Sequence, residues 1–224
     1  MDHTIVAARP SSLPDYSVYL TPPRVAQEES DWAESKLYLR NAAQVMHAAR
    51  LFGLGERFHL LELGCGSGWV PTALPDTIVY GGIDHNAQLL VLAAAKNGHH
   101  RMFYRSDLRV WPTAPAIDLV ASFAVLKHFG LHEWADVFAR MLSHGRHGVF
   151  NIQLGPPSRP AYDDGTEFHH TWIDERTVER CVRDAGKRIY RSEVLHSDPA
   201  RGDDAIFYVG PDAFGTVGDA GDPT

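Results

Sequence analysis

Cysteine is scarce: the 224 residues contain two, Cys65 and Cys181. They stand at no metal-ligand spacing and support no disulfide framework, so a reducing, cytoplasmic setting is the default expectation. Basic residues are also few, 21 against 28 acidic ones, and the formal net charge is -7. That argues against a general nucleic-acid binder, which needs a basic surface to displace counterions. No window is apolar for long enough to span a bilayer. The opening MDHTIVAARP lacks the basic start and apolar run of a signal peptide. No internal repeat is found. What the chain does have is 44% hydrophobic residues, enough for a sizeable core, in a length that suits one domain.

Along the chain, residues 1–26 carry Pro10, Pro14, Pro22 and Pro23 without a helical period, which predicts an irregular arm. The pattern Asp31-x-x-Glu34 is expected to start a helix, which Ala42, Val45, Met46 and Ala49 continue on one face and Gly53 and Gly55 end. Strands are expected over 59–63, 78–83, 101–105, 117–122 and 148–153, with helices over 87–95 and along Trp134, Val137, Phe138 and Met141. The segment VPTALPD after the first strand allows only a short helix, because Pro75 and Asp76 stop it early. Asp174 can cap a helix through Val178, Cys181, Val182 and Ala185, ending at Gly186. Two last strands are expected over 188–194 and 205–209, and the Gly/Asp/Pro-rich tail from Gly210 is expected to be disordered. Strands alternating with helices indicate an α/β fold, a mostly parallel sheet covered on both faces, with a closing antiparallel pair at one edge.

The stretch LLELGCGSGW, Leu60–Trp69, organises the rest. A glycine turn after a strand lets a ligand approach the backbone, and the helix start beyond it offers free amides. The dinucleotide pattern is G-x-G-x-x-G. Here Gly64, Gly66 and Gly68 are spaced G-x-G-x-G, and Trp69 occupies the place of the third dinucleotide glycine, where an indole would prevent close helix–strand contact. Glu62 before the turn would repel a pyrophosphate. Asp84 ends the second strand about twenty residues past the first glycine, where a carboxylate can accept from both hydroxyls of a ribose.

The residues E-L-G-C-G-S-G resemble the first motif of class I S-adenosylmethionine-dependent methyltransferases. The resemblance extends over residues 26–210, with the first motif its distinctive part. It implies a single Rossmann-like domain over residues 27–209 with strand order 3-2-1-4-5-7-6 and an N-terminal lid helix. It implies S-adenosylmethionine as cofactor and S-adenosylhomocysteine as product. Glu62 would lie near the cofactor's amino-acid end, with Gly64, Cys65, Gly66 and Gly68 along the turn. Asp84 and His85 would lie at the ribose, and Asp107 and the Leu108 amide at the adenine. Ser122 and Phe123 would lie near the methionine portion. Cys65 is read as a small turn residue rather than a nucleophile.

The acceptor side is filtered by topology, because ligands of an open α/β sheet sit at the carboxyl ends of the strands. His144 and His147 precede the fifth strand and are expected at the opposite edge. His128, after the fourth strand, and one of His169 and His170, after the long loop GPPSRPAYDD, are the candidate general bases. A tandem pair on extended chain points to opposite faces, so one of those two should face the site. Asn151, Gln153, Tyr162 and Trp172, with Trp32 and Tyr38 of the early helix, are candidate acceptor contacts, although core or surface packing competes for Trp32. Asp163, Asp164 and Glu167 are the candidates for a divalent metal such as Mg²⁺, against a solvated acidic loop as the stronger alternative.

The expected activity is O-methylation of a small polar hydroxylated molecule, a sugar or a natural product, by a monomer or homodimer without nucleic-acid or membrane partners. N-methylation of a small amine, methylation of RNA or protein, a non-catalytic cofactor-binding protein and a nicotinamide-dependent enzyme are the alternatives.

Overall fold

The computed structural model describes residues 22–112, 117–156, 158–159, 161–163 and 170–212. Helix α1, Pro22–Ser35, begins on two prolines, which suit a first helical turn because its amides lack intrahelical acceptors. The boundary of the expected arm is therefore corrected: residues 22–26 are helical, and residues 1–21 lie outside the described residues. Asp31 and Glu34 do not start a helix. They lie within α1 and accept from side chains one turn back, Gln27 at 2.7 Å and Ser30 at 3.0 Å. Lys36, left-handed with φ 52, breaks the chain direction before α2, Leu37–Leu51. Helix α2 buries Asn41, Ala42, Val45, Ala48 and Ala49, and the chain turns at Gly53, φ 65.

The strands of the main sheet are β1 (His59–Leu63), β2 (Val79–Asp84), β3 (Met102–Arg105), β4 (Ile117–Ser122), β5 (Gly145–Leu154), β8 (Lys187–Asp198) and β9 (Gly202–Pro211). Their order is β3-β2-β1-β4-β5-β9-β8. Two short strands, β6 (Tyr162–Asp163) and β7 (Thr171–Trp172), form a separate ribbon. Counted within the main sheet alone, β8 and β9 are sixth and seventh, so the arrangement is the expected 3-2-1-4-5-7-6. The first five strands run parallel, and β9 pairs antiparallel with both β5 and β8. Strand β9 reaches Pro211, opposite Lys187, so ordered pairing extends past the expected tail boundary at Gly210. Residues 213–224 lie outside the described residues.

Alternation along the central strands builds two cores. Leu60, Leu119, Val149 and Ile206 face the layer packed by Val45 and Ala48 of α2. Their neighbours Leu61, Val120, Phe150 and Phe207 face the opposite layer. That layer contains Trp134, Phe138 and Met141 of α4 (Leu131–Ser143) and Val178 and Val182 of α5 (Glu175–Asp184). Asp174 caps α5 by accepting from the Thr177 amide at 2.9 Å. Helix α3, Ala87–Asn97, is capped by Asn86, which accepts from the amides of Gln88 and Leu89. After β1 the chain makes only a 3-10 turn, Val70–Ala73, bounded by Leu74 and Pro75, as expected for a short segment. No helix among the described residues is long and apolar enough to cross a membrane.

Candidate functional site

The site begins at the carboxyl end of β1. Gly64, Gly66 and Gly68 all take positive φ, 75, 53 and 69, a geometry that side-chain-bearing residues adopt at a cost. A Cβ on Gly64 would stand 2.2 Å from Val125 Cγ2, and one on Gly68 would stand 2.8 Å from Ala93 Cβ. A Cβ on Gly66 would meet nothing within 4 Å, so this middle glycine borders open space. The turn is held to β2: the amides of Gly64 and Cys65 donate to Ile83 O at 2.7 and 3.0 Å. The Gly66 amide donates to Asp84 Oδ2 at 2.9 Å, and the Asn86 amide donates to Asp84 Oδ1 at 2.9 Å. His85 Nδ1 lies 3.4 Å from Asp84 Oδ1.

Below the turn, Glu62 is buried and its Oε2 accepts from the Tyr80 hydroxyl at 2.5 Å. Burial first, and then the charge of Asp84, push the Glu62 carboxyl up to about 8, against the opposing effect of the Tyr80 hydrogen bond. Burial and the Glu62 charge likewise push the Tyr80 hydroxyl well above its ordinary range. Cys65 is buried and free, and burial raises its thiol well above the usual value. The thiol form is not a nucleophile.

A cleft opens over this turn. Glu62, Gly64, Cys65, Gly66 and Phe123 line it from the sheet, and Glu29, Trp32 and Asn41 line it from α1 and α2. Helix α1 is latched across the cleft by Glu29. Its carboxylate accepts from Lys96 Nζ at 2.8 Å and from Trp69 Nε1 at 3.2 Å. Lys96 also donates to Ser67 O at 3.1 Å and lies 3.6 Å from the Trp69 ring centroid. Burial alone would raise the Glu29 pKa, but hydrogen bonds from Lys96 and Ser67 outweigh it and hold the carboxyl below its ordinary value. Tyr38 packs on Trp69 with ring centroids 5.1 Å apart.

Asp107 follows β3, adjacent to the end of β2, where the Ser106 amide donates to Asp84 O at 3.0 Å. One Asp107 oxygen accepts from the Arg109 amide at 2.9 Å, and the other lies 3.9 Å from Arg109 Nη1. Leu108 is buried beside it. Ser122 is fully buried and its hydroxyl donates to Leu63 O at 3.0 Å, so it braces β4 to β1, while Phe123 reaches the cleft.

On the acceptor side the chain brings together three of the residues singled out from sequence. His128 closes the 3-10 turn Leu126–His128 after β4. Its ring lies 5.8 Å from that of His170, and His170 lies 5.9 Å from the ring of Trp172. Asn151 is bonded on both sides: its Oδ1 accepts from the Ala124 amide at 3.2 Å, and its Nδ2 donates to Asp204 Oδ1 at 2.6 Å. Gln153 is half-buried. Tyr162 and Asp163 are described as backbone only, paired with Trp172 and Thr171. Asp164, Glu167 and His169 lie outside the described residues. Among the described residues no group of three His, Cys, Asp or Glu side chains could hold a metal ion. His144 is buried, and His147 stacks on Phe52 at 4.3 Å from the start of β5, the edge expected for both. Burial, then Arg146 and Lys187, push His147 down to about 4.

Reading by sequence position passed over Glu29, Tyr80 and Lys96. Glu29 stood at the border of a segment taken as an arm, and nothing local marks Tyr80 as the neighbour of Glu62.

Residues 60–148 match a family model described as a methyltransferase domain. No curated protein sequence matches the chain. Several solved structures share its fold. A S-adenosylmethionine-dependent methyltransferase from Clostridium acetobutylicum is 12% identical, with TM-score 0.64 over 84% of this chain and 98% of that one. The 1,6-didemethyltoxoflavin-N1-methyltransferase of Burkholderia thailandensis is 14% identical, with TM-score 0.62 over 92% and 94%. CalS10, an amino pentose methyltransferase from Micromonospora echinaspora, is 15% identical, with TM-score 0.61 over 82% and 95%.

Proposed function

We propose that the chain is a class I S-adenosylmethionine-dependent methyltransferase that transfers a methyl group to a hydroxyl oxygen of a small polar acceptor, a reading supported by the methyltransferase-domain match over residues 60–148 and by the shared fold. The residues of the turn fit the cofactor. Gly66 borders open space, and the buried Glu62 carboxyl lines the cleft where the cofactor's ammonium would lie. Bound there, S-adenosylmethionine supplies an electrophilic methyl carbon on a sulfonium, and S-adenosylhomocysteine is the product.

In this reading Asp84 accepts from the ribose hydroxyls with the lone pairs left by the Gly66 and Asn86 amides, with His85 beside it. Asp107 and Leu108 meet the adenine. Phe123, with Ser122 bracing its strand, borders the methionine portion. His128 or His170 takes the acceptor's proton as its oxygen attacks the methyl carbon. Alignment of acceptor and methyl group, with water kept out by α1, supplies much of the remaining rate. Trp32, Tyr38 and Trp172 contribute aromatic surface, and Asn151 and Gln153 support the acceptor edge.

The observation that carries the proposal is the grouping of His128, His170 and Trp172 at the carboxyl edge of the sheet that bears the glycine turn. The amino pentose enzyme and a domain crystallised with S-adenosylhomocysteine and D-fucose lend weight to a sugar-like acceptor. The N1-methyltransferase favours a second reading, N-methylation, in which no strong base is needed. The protein would act as a monomer or homodimer in a reducing cytoplasm, in keeping with its two free cysteines.

The test is a methyl-transfer assay with sugars, phenols, amines and carboxylic acids, with and without a chelator. Methylation of a hydroxyl is expected. Turnover confined to amines would replace this reading with the second, and loss of turnover on chelation would add a Mg²⁺ requirement.

A further inference from the structure

The apolar stripe of α2 ends in a polar residue. Asn41, Val45 and Ala48 recur at i, i+4 and i+7 on one face of the helix, and all three are buried. Val45 and Ala48 pack into the core beneath the sheet. Asn41, one turn further on and 4% exposed, lines the cleft over the glycine turn. Among the described residues no hydrogen bond engages its side-chain amide. The amide atoms are not sealed in protein either, so they open on the cleft. A buried amide without a partner is costly, and a ligand that bonds to it removes that cost.

Most other donors around the cleft are committed. The amides of Gly64 and Cys65 donate to Ile83 O, that of Gly66 to Asp84 Oδ2 and that of Gly68 to Cys65 O. The Ser67 hydroxyl, the Trp69 indole and the Lys96 ammonium are all bonded to Glu29. Of the side chains lining the cleft, Asn41 and the less buried Trp32 indole keep a donor in hand, and Asn41 stands on the helix anchored in the core. Glu62 lines the same cleft and meets the cofactor's ammonium in the reading above. An α-amino acid carries its carboxylate on the carbon that bears its ammonium, so both charges need partners here. We propose that Asn41 Nδ2 donates to the carboxylate of the cofactor's amino-acid portion. This rests on the methyltransferase reading and assigns a residue of α2 to one end of the cofactor. A neutral donor suits the place, because a lysine or arginine there would compete with the cofactor's ammonium for Glu62.

The experiment compares S-adenosylhomocysteine with its decarboxylated analogue, which keeps the ammonium and lacks the carboxylate, by calorimetric titration of the unmodified chain, Asn41→Leu and Asn41→Asp. Asn41→Leu is expected to weaken S-adenosylhomocysteine about tenfold and the analogue by less than about twofold. Asn41→Asp sets a like charge against the carboxylate and is expected to weaken S-adenosylhomocysteine about 100-fold. The thermal midpoint of ligand-free Asn41→Leu should be no lower than that of the unmodified chain, because no bond within the fold is lost. Equal losses for the two ligands, no loss for either, or Asn41→Asp binding S-adenosylhomocysteine as tightly as the unmodified chain overturns the proposal. So does a midpoint lowered by several degrees, which would show the amide engaged within the fold. Failure of the unmodified chain to bind S-adenosylhomocysteine removes the methyltransferase reading, whereas binding indifferent to the Asn41 variants removes only the role of Asn41.

Discussion

Tyr80 donates its hydroxyl to Oε2 of Glu62 at 2.5 Å, joining β2 to β1 beneath the glycine turn with both side chains buried. The Glu62 carboxyl, pushed up to about 8 in the folded chain, has an ordinary value of 4.5 when exposed. The folded state therefore holds a proton that the unfolded state releases, and stability falls as pH rises from about 4.5 to about 8. Urea denaturation at pH 5 and pH 8 is expected to show the unmodified protein losing on the order of 2–4 kcal/mol relative to Glu62→Gln. Parallel pH profiles for the two proteins would contradict a buried protonated acid.

The same proton reports on the cofactor. An ammonium brought beside Glu62 favours its carboxylate, so binding of S-adenosylhomocysteine near pH 7 should release up to about one proton. Calorimetry in buffers of different ionisation enthalpy measures this directly. Glu62→Gln should bind with no such release, and an equal release from the variant would move the effect to another group.

Asp84 accepts two amides that shape the turn, and its remaining lone pairs are those assigned to the ribose in the proposed function. Hydrogen bonds to charged groups contribute about 1.5–3 kcal/mol, so Asp84→Ala should weaken S-adenosylhomocysteine binding about 10- to 100-fold. Unchanged affinity by calorimetry would rule out the ribose role.

Lys96→Met removes the cation from the Glu29 latch, whose two side chains are 20% and 23% exposed. Partly exposed pairs contribute little to global stability, so a loss of roughly 1 kcal/mol or less is expected. The larger effect should be local: faster proteolytic cleavage within α1 and faster release of S-adenosylhomocysteine in stopped-flow measurements. Unaltered rates of both would mean that α1 is held by other contacts.

His128→Ala and His170→Ala should separate base from packing. Loss of the base is expected to lower kcat about 10²- to 10⁴-fold with little change in KM, whereas the other variant should act mainly on KM. Full kcat in both, on an identified acceptor, would remove the histidine-base assignment and favour N-methylation.

The glycine turn could be read from the sequence because strand, turn and the aspartate ending the next strand are local patterns. The sheet followed from the same alternation, which sends Leu60 to one core and Leu61 to the other. Helix α1 could not be read, because Pro22 and Pro23 break a helix in its interior and open one at its start, and only packing decides which. Tyr80 was missed for a different reason: it matters through parallel pairing of distant strands. Asn151, chosen as a polar group at a strand end, has its amide engaged between Ala124 and Asp204, a bond that depends on the antiparallel return of β9.

Lys36 joins α1 to α2 through one left-handed residue, and no strand pairing binds α1 to the sheet. The roof over the cleft is thus a detachable module carried on side-chain contacts. Replacing residues 22–35 with a different segment would change the lining that Glu29 and Trp32 give the cleft and leave the register of β1 against β2 and β4 intact. Solved structures keep this fold at 12–15% identity, so the scaffold tolerates wide change in sequence around such a roof.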